Sequence, residues 1–178
     1  MNNKAYFAGG CFWCTEYDFE TLPGVVRVIS GYAGGHTENP SYYEVASEST
    51  GHRESVEVEY DPNSISYETL VDHLIRIINP TDATGSFHDR GESYTPAIFY
   101  QTDAEKAIAD KVIQVWNDKK IYRLPLAVKV IPYTNFFKAE EEHQKYHEKN
   151  PTRYAMYRKG SGREAQIEEN NTLFPKNS

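Results

Sequence analysis

Residues 55–60 alternate without a break. Val56, Val58 and Tyr60 fall on one side and Ser55, Glu57 and Glu59 on the other, the period-two pattern of a half-buried strand. Such a strand needs a sheet beside it and a layer over its apolar face, and the flanking sequence supplies both.

Residues 4–8 read as a short buried strand closed by Gly9 and Gly10, and the segment from Cys11 to about Phe19 has no breaker and reads as a helix. Leu22, Pro23 and Gly24 interrupt it, and the β-branched run at 25–30 predicts a second strand. Residues 31–51, rich in Gly, Pro, Asn, Ser and Thr, predict a long ordered loop of the kind that often carries function. Beyond residues 55–60, Ser66 predicts a helix cap, with Leu70, Leu74, Ile77 and Ile78 at helical spacing up to Asn79 and Pro80. A second irregular stretch, 81–93, leads to a strand at 95–100 and a capped helix from Thr102 to about Lys119. The last clear strand is expected at 126–131 and the last clear helix at 139–150.

This order predicts an α+β fold with a ferredoxin-like, split βαβ core and additional helices. The whole chain, 1–178, is expected to form a single catalytic domain. Its core would end near residue 156, and 157–178 would form an irregular C-terminal coil, because that stretch is polar and has no periodicity.

Composition narrows the classes. No apolar run reaches the roughly 18 residues of a membrane span, and the start lacks a signal-peptide core. A net charge of −7 with scattered basic residues gives no footprint for nucleic acid. A cytoplasmic monomer, with no membrane or nucleic-acid partner, is the expectation.

The 2 cysteines, Cys11 and Cys14, cannot build a disulfide framework. At a helix start, unpaired N–H groups favour an anion, which predicts a lowered Cys11 pKa and a nucleophilic thiolate. Cys14 lies one turn on, and a bond between the two would strain that turn and stay reducible. The alternatives are two small buried hydrophobes or half a zinc site. No second tight pair of ligands accompanies them, and His143 and His147 read as one packed or solvated helix face. Neither a metal nor a cofactor is expected.

A thiolate attacking an electrophile needs an acid nearby. Glu54 is in phase with Val56 and Val58. Turned inward, it would be desolvated and stay protonated near neutral pH; turned outward, it would be an ordinary surface carboxylate. Tyr42 and Tyr94, each in an irregular stretch, can donate neutral hydrogen bonds to a substrate oxygen or serve as loop anchors.

The run GGCFWCTE at residues 9–16 resembles the signature of the A-type peptide methionine sulfoxide reductases. So do GYAGG at 31–35, NPSY at 39–42, TGHRE at 50–54, Asp82, DRG at 89–91 with Tyr94, and EHQKY at 142–146 with KNP at 149–151. The likeness runs from about residue 5 to 160.

It implies reduction of the S epimer of methionine sulfoxide, in proteins or free, and a place in oxidative protein repair. By resemblance Cys11 is the nucleophile that becomes a sulfenic acid, Glu54 the proton donor, and Tyr42 and Tyr94 the donors to the sulfoxide oxygen. Phe12 and Trp13 match the pocket for the S-methyl group, and Asp89 a polar residue at its rim.

The chain departs from part of the family. Its tail has no recycling cysteine, position 46 is Ala, and Cys14 stands where many members have Gly. Cys14 is then the internal candidate for the resolving thiol, with thioredoxin reducing the resulting disulfide. Direct reduction of the sulfenic acid by an outside thiol remains the alternative. Two rival readings are a thioredoxin-like CxxC oxidoreductase, which gives Glu54, Tyr42 and Tyr94 no role, and a non-catalytic module that holds exposed methionines.

Overall fold

The computed structural model describes residues 1–176. Six strands form one sheet in the order β7-β6-β1-β3-β2-β8. Its centre is β1 (Asn3–Ala8) against β3 (Arg53–Tyr60), with β2 (Val25–Ala33) on the far side of β3 and β6 (Ala97–Tyr100) on the far side of β1, all antiparallel. With α1 (Phe12–Glu20) crossing between β1 and β2, and α3 (Tyr67–Arg76) between β3 and β6, this is the expected split βαβ core.

The helices pack on one face. Phe7 of β1 stacks on Phe19 of α1 with ring centroids 5.1 Å apart, and Val56, Val58, Leu70, Leu74 and Ile98 fill the layer around them, all fully buried. Burying an aliphatic or aromatic side chain of this size contributes about 1.5–3 kcal/mol, which makes this layer the main source of stability. α4 (Asp103–Asp118), capped by Thr102, crosses to β7 (Lys129–Pro132), which lies parallel to β6.

Several local expectations change. The segment at 31–51 is not one loop: β2 runs on to Ala33, and Ser41 and Glu44 form a reciprocal capping box that starts α2 (Tyr42–Ala46). The stretch at 81–93 contains a minimal hairpin, β4 (Gly85–Ser86) with β5 (Asp89–Arg90). The strand expected at 126–131 begins only at Lys129, and a strand absent from the sequence reading, β8 (Phe136–Lys138), adds to the edge of β2. Gly31 admits it, since a Cβ there would lie 2.4 Å from the Phe136 ring.

Residues 139–150 are not a helix. They form a single 3₁₀ turn at Glu141–His143, a left-handed Lys145 (φ 51°) and the short α5 (Tyr146–Lys149). The buried Gln144 side chain accepts from Ser30 N and donates to Ser30 O and Ala139 O, so it bonds across to β2 and the helix is interrupted.

The C-terminal coil is also corrected, with 177 and 178 lying outside the described residues. Pro151 opens α6 (Pro151–Ser161), and Gly162 at φ 84° turns the chain into α7 (Arg163–Leu173). Both helices bury polar residues, namely Arg158, Ser161, Arg163 and Asn170, which is why apolar periodicity did not reveal them.

Candidate active site

The site lies where β1 passes into α1. Gly10 makes the turn at φ 85°, and a Cβ there would sit 2.2 Å from Ser86 Oγ, so both conformation and space call for glycine. Cys11 is the N-cap residue of α1. Its carbonyl accepts from the N–H groups of Cys14 and Thr15, each at 3.2 Å.

Glu54, at the start of β3, points inward as expected and is 2% exposed. Its Oε1 accepts from Phe12 N at 3.1 Å, which ties the carboxyl to the first turn of α1. Burial raises the Glu54 pKa to about 8. The Phe12 N–H and the Tyr94 hydroxyl pull it down, and the charge of Asp89 adds to the rise. The group is therefore largely protonated at neutral pH.

The two tyrosines arrive from separate elements. Tyr42 opens α2, its backbone N–H donating to Glu140 Oε2 at 3.0 Å, and its ring stacks on His143 at 4.5 Å. Tyr94 ends a 3₁₀ turn (Glu92–Tyr94) that Glu48 holds through Ser93 N at 3.0 Å and Ser93 Oγ at 2.6 Å. The two phenols lie beside each other, and the Tyr94 hydroxyl works against the rise at Tyr42. Burial and the neighbouring Glu54 push Tyr42 up to about 12 and Tyr94 well above the ordinary phenol range, so both stay neutral donors. Asp89 on β5 faces Cys11 and accepts a hydrogen bond from Tyr157.

Phe12 is fully buried among Tyr32, Tyr42 and His143. Trp13 is half-buried, donates from Nε1 to His143 Nδ1 at 3.2 Å, and stacks on Tyr146 at 3.8 Å. The structure thus brings together all eight expected residues, from Cys11 to Tyr94, around the first turn of α1. His143, Tyr146 and Tyr157 were given no role in sequence. His143 and Tyr146 lie within the EHQKY run, which is the signal that marks them; Tyr157 has none. His143 and His147 do not share a helix face. His143 lines the site, while His147 packs on Tyr17 and faces Glu20 Oε1 at 3.3 Å.

The thiols differ from expectation. Both are free and buried. Burial pushes Cys11 well above the ordinary thiol value, and Cys14, Glu54 and Asp89 add to the rise, so a lowered pKa does not hold in the free site. Cys14 is lowered to about 6, first by its hydrogen bond with Cys11 and, against its own burial, by Arg163 and Arg158. The charge of the pair therefore rests on Cys14.

Candidate metal ligands converge within 4.8 Å in two groups: Glu20, His147 and Glu148, and Glu140, Glu142 and His143. One carboxylate of each group already has hydrogen-bond partners. Lys145 Nζ and His147 hold Glu20, and the Glu140 carboxylate accepts from Tyr32 and Tyr42.

A buried dithiol beside a protonated acid and neutral phenols belongs to a thiol-dependent oxidoreductase. The family model for peptide methionine sulfoxide reductase matches residues 3–173. A peptide methionine sulfoxide reductase MsrA of Bacillus licheniformis is 47% identical over 93% of this chain and 91% of its own length. The reduced form of Mxr1 from Saccharomyces cerevisiae superposes with a TM-score of 0.79 at 31% identity, covering 84% of this chain and 86% of that one. Mxr1 in complex with Trx2 superposes at 0.56 with 24% identity, over 82% and 84%. The chain belongs to the peptide methionine sulfoxide reductase family, whose activity is the reduction of methionine sulfoxide. Among the described residues no helix is long and apolar enough to cross a membrane.

Proposed function

We propose that the protein reduces the S epimer of methionine sulfoxide through a Cys11 sulfenic acid, that Cys14 resolves this acid as a disulfide, and that thioredoxin reduces the disulfide in a cytoplasmic setting. The observation that carries the reading is Glu54: buried, held at Phe12 N, and raised to about 8.

Sulfoxide sulfur is a poor electrophile until its oxygen is protonated. Glu54 supplies the proton, while Tyr42 and Tyr94 hydrogen-bond the same oxygen without bringing charge. Cys11 reacts as the thiolate: as Glu54 gives its proton to the oxygen, the Cys11 proton is released and restores the Glu54 acid, so Cys14 keeps its charge. Attack at sulfur moves the oxygen to Cys11, methionine leaves, and the sulfenic acid remains. Phe12 and the exposed part of Trp13 offer an apolar seat for the S-methyl group, with Asp89 at the rim.

That yeast Mxr1 occurs in complex with Trx2 supports a thioredoxin as reductant here. Product analysis on the two separated epimers of a methionine sulfoxide peptide tests the pocket. Only the S epimer is expected to yield methionine, and equal consumption of both would remove the assignment of Phe12 and Trp13.

A further inference from the structure

The mechanism leaves one buried charge cluster unused. Arg163, 1% exposed, donates Nη1 to Ile77 O at 2.7 Å and Nη2 to Gly9 O at 3.1 Å. Its guanidinium lies 4.9 Å over the Phe87 ring, and among the described residues Nε has no hydrogen-bond partner. Among the described residues no carboxylate hydrogen-bonds it. Arg158 forks onto Asp18, with Nη2 to Oδ1 at 2.8 Å and Nη1 to Oδ2 at 3.2 Å, and also donates Nη1 to Tyr154 OH at 3.0 Å. Its remaining partner, Glu164, lies largely in solvent.

Inside the protein, then, two guanidinium groups face one carboxylate. A buried charge without a counter-charge costs several kcal/mol, so a second anion is called for. Asp18 stands one helical turn after Cys14 on α1, an i,i+4 spacing that puts both on one face, and the Cys14 side chain is fully buried there.

We infer that Arg163 and Arg158, delivered by the C-terminal helix pair, are positioning residues that hold Cys14 as a thiolate poised to attack the Cys11 sulfenic acid without a general base. The inference rests on the resolving role proposed for Cys14. In that step the Cys14 electron pair forms the S–S bond as the S–O bond of Cys11 breaks. Cys14 is oxidised and the Cys11 sulfur reduced, and the departing hydroxide takes the proton of Glu54 and leaves as water, which leaves Glu54 as the carboxylate. The oxidant is the sulfoxide oxygen already transferred. Once the disulfide forms, the thiolate charge is gone and the two arginines again outnumber Asp18. The oxidised state is thereby destabilised, which favours its reduction.

The ionisable groups that face Cys14 are Cys11 and Asp18 on its own helix, Glu54 on β3, Tyr154 and Arg158 on α6, and Arg163 on α7. In the Cys11→Ser protein Cys14 is the sole thiol, and its ultraviolet thiolate absorbance is followed against pH. A midpoint at least one unit below the ordinary thiol value of about 8.5 is expected. Adding Arg163→Met is expected to raise it by about one unit or more, and Arg163→Lys to restore it. A midpoint at or above about 8.5 in the Cys11→Ser protein overturns the inference, as does a midpoint that Arg163→Met leaves in place. Should Arg163→Met fail to fold, the Cys11→Ser midpoint and the Arg158→Met variant decide.

The full chain gives the second readout, a single turnover without reductant in which methionine release and disulfide closure are timed separately. Arg163→Met should slow closure about tenfold relative to release at pH 7, and closure should recover at higher pH, since one unit of midpoint is tenfold in thiolate. Closure at the wild-type rate across the pH range overturns the inference with the resolving role intact. Normal turnover of Cys14→Ser with thioredoxin instead overturns the resolving role on which it rests.

Discussion

The two ends of the first turn of α1 have opposite electrostatic surroundings. Around Cys11 stand a carboxyl, a carboxylate and three phenols, Glu54, Asp89, Tyr42, Tyr94 and Tyr157; around Cys14 stand Arg158 and Arg163 with Asp18 and Tyr154. Two thiols three positions apart are thus pushed in opposite directions, Cys11 up and Cys14 down. Local sequence alone pointed the other way, with Cys11 lowered at the helix start. The difference between their surroundings comes from elements that the fold brings in from far along the chain.

Exchanging the ends should produce the largest effect. Cys11→Ser should abolish sulfoxide reduction outright. Cys14→Ser should still yield about one equivalent of methionine in a single turnover and then stall with thioredoxin, which a methionine count per enzyme will separate. Next is the acid. Glu54→Gln should lower the rate of sulfoxide reduction by about 10²–10⁴-fold with the fold retained. The sign of its pH dependence follows from the raised pKa. The protonated form is the active one, so the wild-type rate is full below about 8 and falls as pH rises through it, and that limb should vanish in Glu54→Gln.

On the arginine side, Asp18→Ala leaves two buried guanidinium groups without their carboxylate. It should cost about 3–5 kcal/mol of stability, seen as a lower denaturant midpoint at unchanged slope. The smallest effect belongs to the phenols. Tyr42→Phe alone should reduce the rate about tenfold, the worth of one hydrogen bond, because Tyr94 still donates. A loss as large as that of Glu54→Gln would mean that the two phenols act as one unit.

What was legible in sequence follows the same division. Strand β3, the caps at Ser66 and Thr102, and the turn at Gly9 and Gly10 are local patterns, and each predicted its element. Glu54 was legible because its phase with Val56 and Val58 decides which way it points. The C-terminal helices were not legible. Their buried residues are arginines and an asparagine whose partners, Asp18, Gly9 and the carbonyls after α3, lie far away in the chain. Residues 139–150 misled for a related reason. Gln144 and the Lys145 N–H, which donates to Glu16, have long-range partners that outweigh local helix propensity.

Asn170 gives the C-terminal helices a further significance. Its side-chain amide donates to the carbonyls of Arg76 and Ile78, at 3.0 and 2.8 Å, and Arg163 takes that of Ile77. A helix end leaves several carbonyls without partners, and here α7 satisfies them in place of a further turn. The end of the chain thereby finishes a helix begun a hundred residues earlier. Fraying of α7 would strip that end of α3 and release the Gly9 carbonyl at the same moment. The last helix is therefore bound into the cooperative unit that carries Cys11, and it opens with the core rather than ahead of it.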